Sequence, residues 1–285
     1  MSTQTTLGEP QRPEKTAEWN REVVFTANGS ARASRLVYRT GALVGMESLN
    51  IRPPDDVPVE FVDWPFSKLD EYRDVGELFD AHHGIVREER PKLAVAPDVE
   101  GDVSLEQAVE YGRELARHAD VVIVVPKTVL PTDVPPGFRV GMPCQERYGP
   151  TPWQWTQYRP VEEVHLLGGS PVKHHEILKY GVPVESVDTT SPLAQARWGD
   201  YWDGRKWASA DRGFYWSLKQ SYRAMRLSLN KDRRVWSPRA RNRRLDWEEA
   251  WKEYNPDTDL WGPDEIPGPP RHEGEVPSWL PDGVL

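Results

Sequence analysis

The sequence predicts an eight-stranded (β/α)8 barrel of the TIM type, an α/β fold. Eight short β-rich runs recur at about the spacing of strand-plus-helix units. Most are continuous apolar runs, as expected for parallel strands buried on both faces. Helical patterns lie between several of them. An open doubly wound sheet is the alternative, but no Gly-x-Gly-x-x-Gly turn follows any strand, so a dinucleotide site lacks its signature.

The strands are expected at Val23–Asn28, Ala42–Met46, Val59–Trp64, Leu93–Val99, Val121–Lys127, Phe138–Pro143, Glu163–Gly169 and Val184–Thr190. Lys68–Val86 reads as a helix with Leu69, Tyr72, Val75, Leu78 and Phe79 on one side. Leu105–Ala119 reads as another, capped by Ser104 with Gln107 three positions on. Pro171–Tyr180 fits a helix ended by Gly181. The links around strands one, two and six lack a clear helical pattern. Pro131–Gly137 and Tyr148–Pro160 read as loops. Beyond the barrel, Tyr215–Leu229 predicts one amphipathic helix and Asp246–Tyr254 a second, with Asp246 as its cap. The expected organisation is a polar arm over 1–20, the barrel over 21–204, a basic, Trp-rich helical extension over 205–254 and a Pro/Gly-rich tail over 255–285.

A chain of 285 residues with 28% charged and 38% hydrophobic residues suits a soluble globular protein. Cys144 is the one cysteine, which rules out an internal disulfide and a cysteine-rich zinc site. Residues 1–12 lack the apolar core of a signal peptide, and no apolar run approaches the roughly 20 residues of a membrane span. A cytoplasmic protein with no membrane partner is expected. The net charge of -9 hides a basic stretch: residues 205–244 hold 13 Lys and Arg against Asp211 and Asp232. That stretch either neutralises an acidic barrel or contacts phosphates, with Arg223, Arg226, Arg233, Arg234, Arg241, Arg243 and Arg244 as the candidates. Five of the 13 tryptophans (Trp198, Trp202, Trp207, Trp216, Trp236) lie in the segment 198–236 that comes after Asp188, either to pack the extension or to stack on bases.

Catalytic groups of such barrels come from the C-terminal ends of the strands. Three aspartates end apolar runs there: Asp63 in Phe61–Phe66, Asp98 in Val95–Gly101, and Asp188 in Val184–Pro192. A carboxylate placed so costs burial energy unless it is paired or useful. Convergent carboxylates suit glycosidic chemistry, one attacking the anomeric carbon and one moving the proton. The same residues, with Glu100, could ligate Mg²⁺ in a metal-dependent hydrolase or lyase. A barrel that only binds nucleic acid through Arg205–Arg244 is the third reading. Gly168-Gly169-Ser170-Pro171 is a strand-to-helix turn of the kind that holds phosphate. The pairs His82-His83 and His174-His175 read as solvated histidines on helix surfaces, and Cys144 as a weaker nucleophile candidate without a histidine partner.

Several of these segments together resemble the tRNA-guanine transglycosylase superfamily. Its nucleophile segment, Phe-Asp-Cys-Val-x-Pro-x-Arg-x-x-Arg, is similar to Val187-Asp188-Thr189-Thr190-Ser191-Pro192 followed by Arg197, with Ala194 in place of the inner arginine. Leu166–Pro171 resembles the family's Leu-Met-Gly-x-Gly-x-Pro strand, and Phe138–Met142 its Leu-Ala-Val-Gly-Glu strand. The match is closer to the DpdA-type 7-deazaguanine DNA transglycosylases. Their His-x-x-Gly and Ser-x-Asp-Ser segments resemble His165–Ser170 and Ser186–Thr190, and their Ala-Ala-Pro-Gln-Asp strand resembles Ala94–Asp98. The resemblance spans roughly residues 61–199.

It implies a barrel enzyme that exchanges guanine in DNA, alternatively tRNA, for a 7-deazaguanine base such as preQ0. Asp188 would be the nucleophile and Asp63 the proton shuttle. Asp98, Lys127, Gly141, Met142, Gly168, Gly169, Ser170 and Arg197 would contact substrate. No cofactor and no catalytic metal are implied. Two departures stand out. The tRNA enzymes' Cys-x-Cys-x-x-Cys…His zinc site has no counterpart, which favours the DNA branch. Trp64-Pro65 replaces the glycines after the first catalytic aspartate, leaving room for a partner subunit or homodimer to complete the site.

Overall fold

The computed structural model describes residues 21–26, 30–144, 152–210 and 212–230. Eight parallel strands close into one barrel in sequence order: β1 (Glu22–Thr26), β2 (Leu43–Glu47), β3 (Phe61–Asp63), β4 (Leu93–Val95), β5 (Val121–Val124), β6 (Arg139–Pro143), β7 (Val164–Leu167) and β8 (Val184–Asp188). The ring closes where β8 pairs with β1 through Val23↔Val187 and Val24↔Asp188. All eight strands lie where the sequence predicts them; most are shorter, but β1 begins one residue earlier and β2 ends one residue later than expected. The chain leaves the ladder at Pro97, which has no N–H to donate, and only the bridge Val99↔Pro126 continues the β4–β5 pairing.

The helices differ more from expectation. α1 (Ala31–Tyr38) was not predicted; it has only about two turns, and small Ala33 and Ser34 form half of its buried stripe. Ser30 caps it by accepting from the Ala33 N–H. The single helix expected over Lys68–Val86 is two elements, a 3-10 turn at Phe66–Glu71 and α2 (Val75–Glu89). Tyr72 is extended between them, and Asp74 starts α2 by capping the Glu77 N–H. α3 (Leu105–Leu115) has the predicted Ser104 cap but ends short of Ala119. α4 (Pro171–Lys179) has Ser170 as its cap, and Gly181 follows it at φ +82°, as its predicted end requires.

α5 (Ser191–Ala196) follows β8 directly, and an unpredicted hairpin, β9 (Asp200–Trp202) with β10 (Trp207–Ser209), comes next. α6 (Phe214–Leu229) packs on α1, α5, β1 and β9, burying Phe214, Leu218, Tyr222, Met225 and Leu229 along one stripe. Trp202 of β9 is buried and edge-on to Trp207, whereas Trp198 is 72% exposed. Trp236, the helix expected at Asp246–Tyr254, the arm over 1–20 and the tail lie outside the described residues.

The reading of the histidine pairs as solvated is corrected. His82 and His174 are both fully buried. His82 sits between Leu78 and Val86 on the buried stripe of α2, its Nδ1 2.6 Å from Ser48 Oγ and its Nε2 2.9 Å from the Val95 carbonyl. Burial holds it neutral, its pKa lowered to about 3. Among the described residues, no helix is long and apolar enough to cross a membrane.

Candidate active site at the C-terminal mouth of the barrel

Side chains alternate across a strand, and the registers place Glu22, Ser186, Asp188, Arg139, Gly141, His165, Phe61 and Asp63 on one face, the barrel interior. Asp188 ends β8, so its carboxylate stands at the mouth, where the side chain is 12% exposed. Its Oδ1 accepts from the Gly168 N–H at 2.8 Å. Gly168 and Gly169 have φ +67° and +87°, a conformation that side chains resist. His174 donates from Nε2 to the Gly168 carbonyl at 2.7 Å, and Thr189 Oγ1 donates to the Gly169 carbonyl at 2.6 Å. Burial lowers the His174 pKa to about 4, which suits a neutral donor. The Tyr222 hydroxyl, from α6, donates to the Thr189 carbonyl at 2.5 Å. The turn after β7 and the end of β8 are therefore tied to each other and to α6.

Beneath Asp188 runs a buried polar chain. His165 Nε2 lies 3.4 Å from Asp188 Oδ1, and His165 Nδ1 lies 2.6 Å from Ser186 Oγ. Arg139 donates to Ser186 Oγ at 2.8 Å and pairs with Glu22 at 2.8 Å and Glu163 at 3.2 Å. The His165 ring stacks on Phe61, centroids 5.6 Å apart.

Across the mouth, Asp63 accepts from the Trp64 N–H at 2.9 Å. Burial, then the charges of Asp188, Glu47 and Asp98, hold its pKa well above the usual carboxylate range. Asp98 pairs with Lys127 at 2.7 Å, and Lys127 also pairs with Glu100 at 2.7 Å. Burial raises the Asp98 pKa to about 6 even though Lys127 pulls it down. Lys127 is itself buried beneath the Phe66 ring, 4.8 Å from its centroid.

Asp63 thus lies within electrostatic reach of both Asp188 and Asp98, with Lys127 paired to Asp98 and the Gly168 N–H bonded to Asp188. Other expected contacts are placed differently. Met142 is 1% exposed and, by strand alternation, faces away from the interior, so its side chain does not line the mouth. Gly141 is a packing position, since a Cβ there would lie 2.7 Å from Val125 Cγ2. Ser170 Oγ serves as the α4 cap, and the Gly168 N–H is engaged by Asp188, so the turn is not an open phosphate cradle. Cys144 is buried, and burial raises its thiol pKa to about 12. Arg197 is half-buried at the end of α5, its pKa lowered by desolvation.

In the basic stretch, Arg223 is half-buried on α6 and Arg226 donates to the Thr40 carbonyl, so neither is a freely exposed cation. Arg205, Lys206 and Arg212 are exposed. Arg233, Arg234, Arg241, Arg243 and Arg244 lie outside the described residues. Sequence reasoning missed the interior roles of His165, Ser186 and Arg139, and also Glu47, which ends β2 within electrostatic reach of Asp63. Polar residues at inward-facing strand positions were the signal for all four. Among the described residues, no group of three His, Cys, Asp or Glu is arranged to hold a metal.

The fold and site define a (β/α)8 barrel with a carboxylate cluster at its C-terminal mouth. Residues 37–237 match the model of the "Family of unknown function (DUF6610)", and the chain belongs to that family. No curated protein matches it. Among solved structures, "PhdJ bound to substrate intermediate" is similar at 11% identity and a TM-score of 0.35, over 65% of this chain and 71% of that one. A likeness at that level carries no argument about the reaction, which rests on the site's own residues.

Proposed function

We propose that this protein is a transglycosylase that exchanges guanine in a nucleic acid, DNA in the first instance, for a 7-deazaguanine base such as preQ0. The observation that carries the reading is the pair of unlike carboxylates at one mouth. Asp188 is held by a backbone N–H, while Asp63 has an acidity weakened by burial and like charges. Two carboxyl groups with separated tasks are what glycosidic substitution needs. The resemblance of residues 61–199 to the DpdA-type enzymes supports the same assignment.

The target guanosine would leave the stack to enter the mouth. Asp188 attacks C1′, the C1′–N9 bond breaks with its electrons going to guanine, and Asp63 supplies the proton. The incoming base then attacks C1′, the Asp188 ester bond breaks, and the base's N–H proton returns to Asp63. Asp98, oriented by Lys127, accepts hydrogen bonds from the guanine-like edge. Phosphate contacts fall to the basic stretch, where Arg205, Lys206 and Arg212 are exposed.

The test is base exchange with guanine-containing duplex DNA, single-stranded DNA or tRNA and preQ0, read by mass spectrometry of the digested nucleosides. The expected product is a deazaguanine nucleoside from DNA. Asp188→Asn should abolish it, by roughly 10³-fold or more, in a folded protein. Incorporation by that variant would end the mechanism.

A further inference from the structure

The chain from Arg139 to Asp188 fixes proton positions that no single residue sets. A guanidinium only donates, so Ser186 Oγ accepts from Arg139 at 2.8 Å. Arg139 cannot turn away, because Glu22 and Glu163 hold it from two sides. The remaining partner of Ser186 Oγ is His165 Nδ1 at 2.6 Å, so the serine proton goes there. A neutral ring that accepts at Nδ1 carries its proton at Nε2.

That Nε2 is fully buried, makes no hydrogen bond, and lies 3.4 Å from Asp188 Oδ1. A bare nitrogen in that position would set its lone pair against a carboxylate oxygen, whereas an N–H meets an acceptor. Oδ1 then lies against two donors, the Gly168 N–H and His165 Nε2–H. Oδ2 accepts nothing from the described residues.

We propose that Arg139, Ser186 and His165 form a relay of positioning residues that holds His165 as its neutral Nε2–H tautomer and leaves Asp188 Oδ2 as the oxygen that bonds to substrate. The inference rests on Asp188 being the nucleophile. The neutral tautomer matters to the chemistry. Asp188 loses its charge on forming the ester, so an imidazolium would favour the free carboxylate and slow the attack. A neutral N–H faces the carboxylate oxygen before the attack and the ester carbonyl after it. Phe61, stacked on the ring, keeps its plane in the relay.

Two measurements test this. Long-range ¹H–¹⁵N correlation of the histidine side chains in the wild-type chain, with His165 assigned through His165→Gln, should give the Nε2–H tautomer above neutral pH. Ser186→Ala should release it to a mixture. An Nδ1–H tautomer or an imidazolium in the wild type overturns the relay. The second arm compares base exchange by His165→Gln, whose amide reaches the Nε2 position, with His165→Asn, whose amide reaches only Nδ1. The expected result is a kcat lowered on the order of 10²-fold in the asparagine variant, largely restored in the glutamine variant, with KM unchanged in both. Equal kcat values would overturn it. The NMR arm needs no turnover, so it reads the relay even where a failed base exchange removes the transglycosylase reading.

Discussion

Lys127 places its ammonium 2.7 Å from Asp98 Oδ2 and is only 8% exposed there. Burial pulls its pKa down, but Asp98 and Glu100 together carry it above its ordinary value. It is therefore a fixed cation at neutral pH, not an amine nucleophile. It also occupies Asp98 and Glu100, which the metal-dependent reading takes as ligands together with Asp63. Base exchange should be unchanged by EDTA and by added Mg²⁺. Activity lost on chelation and restored by Mg²⁺ or Mn²⁺ would return the site to the metal-dependent reading.

Cys144 sits under the glycine turn, its Sγ directed at the Met142 carbonyl at 3.5 Å. With its thiol pKa pushed up to about 12, chiefly by burial, it is protonated at working pH and a poor nucleophile. Cys144→Ala should keep full exchange activity at a stability cost of about 1 kcal/mol for the vacated volume. Loss of turnover in a variant that unfolds at the wild-type denaturant midpoint would make the thiol a participant.

The Tyr222 hydroxyl reaches from α6 to the Thr189 carbonyl, directly behind Asp188. Burial holds its pKa well above the usual phenol range, so it stays a donor. Tyr222→Phe leaves that carbonyl unsatisfied, which should cost about 1 to 3 kcal/mol in denaturant unfolding. Exchange should fall as well, because the residue beside the nucleophile loses its outer tie. A variant with unchanged stability and rate would mean that α6 covers the barrel without steadying the site.

The barrel was legible because parallel strands buried on both faces leave continuous apolar runs, and most of the eight did. Asp188 was legible because a carboxylate ending such a run needs a reason. The relay was not. His165 reads as one polar interruption in Val-His-Leu-Leu, and Arg139 as the edge of a strand; only the pairing His165↔Ser186 across β7 and β8 brings them together. The buried histidines carried a signal that went unused. Leu78, His82 and Val86 are spaced by four, and Pro171, His174 and Ile177 by three, so each histidine continues a buried stripe. Helix α1 escaped because it has only about two turns and Ala33 and Ser34 make up half of its inner face, leaving no apolar period to read. Glu47 escaped because the second strand was expected to end one residue earlier.

Asp63 links stability to function with opposite signs. Burial and the like charges of Asp188, Glu47 and Asp98 raise its folded pKa well above the value in the unfolded chain. A carboxyl raised in this way contributes stability that is fully present below its unfolded pKa and is lost as pH rises through its folded pKa. Asp63→Asn removes the ionisation and keeps the oxygen that accepts from the Trp64 N–H. Wild type and variant should be close in stability at about pH 4, and the variant should be the more stable by about 1 kcal/mol or more at about pH 8. Exchange by the variant should fall by roughly 10²- to 10⁴-fold, the usual worth of a positioned proton donor. Denaturant unfolding at the two pH values together with the exchange rate decides the matter. A variant less stable than wild type at high pH would mean that ionised Asp63 has a compensating partner, and the division of labour between Asp63 and Asp188 would fall with it.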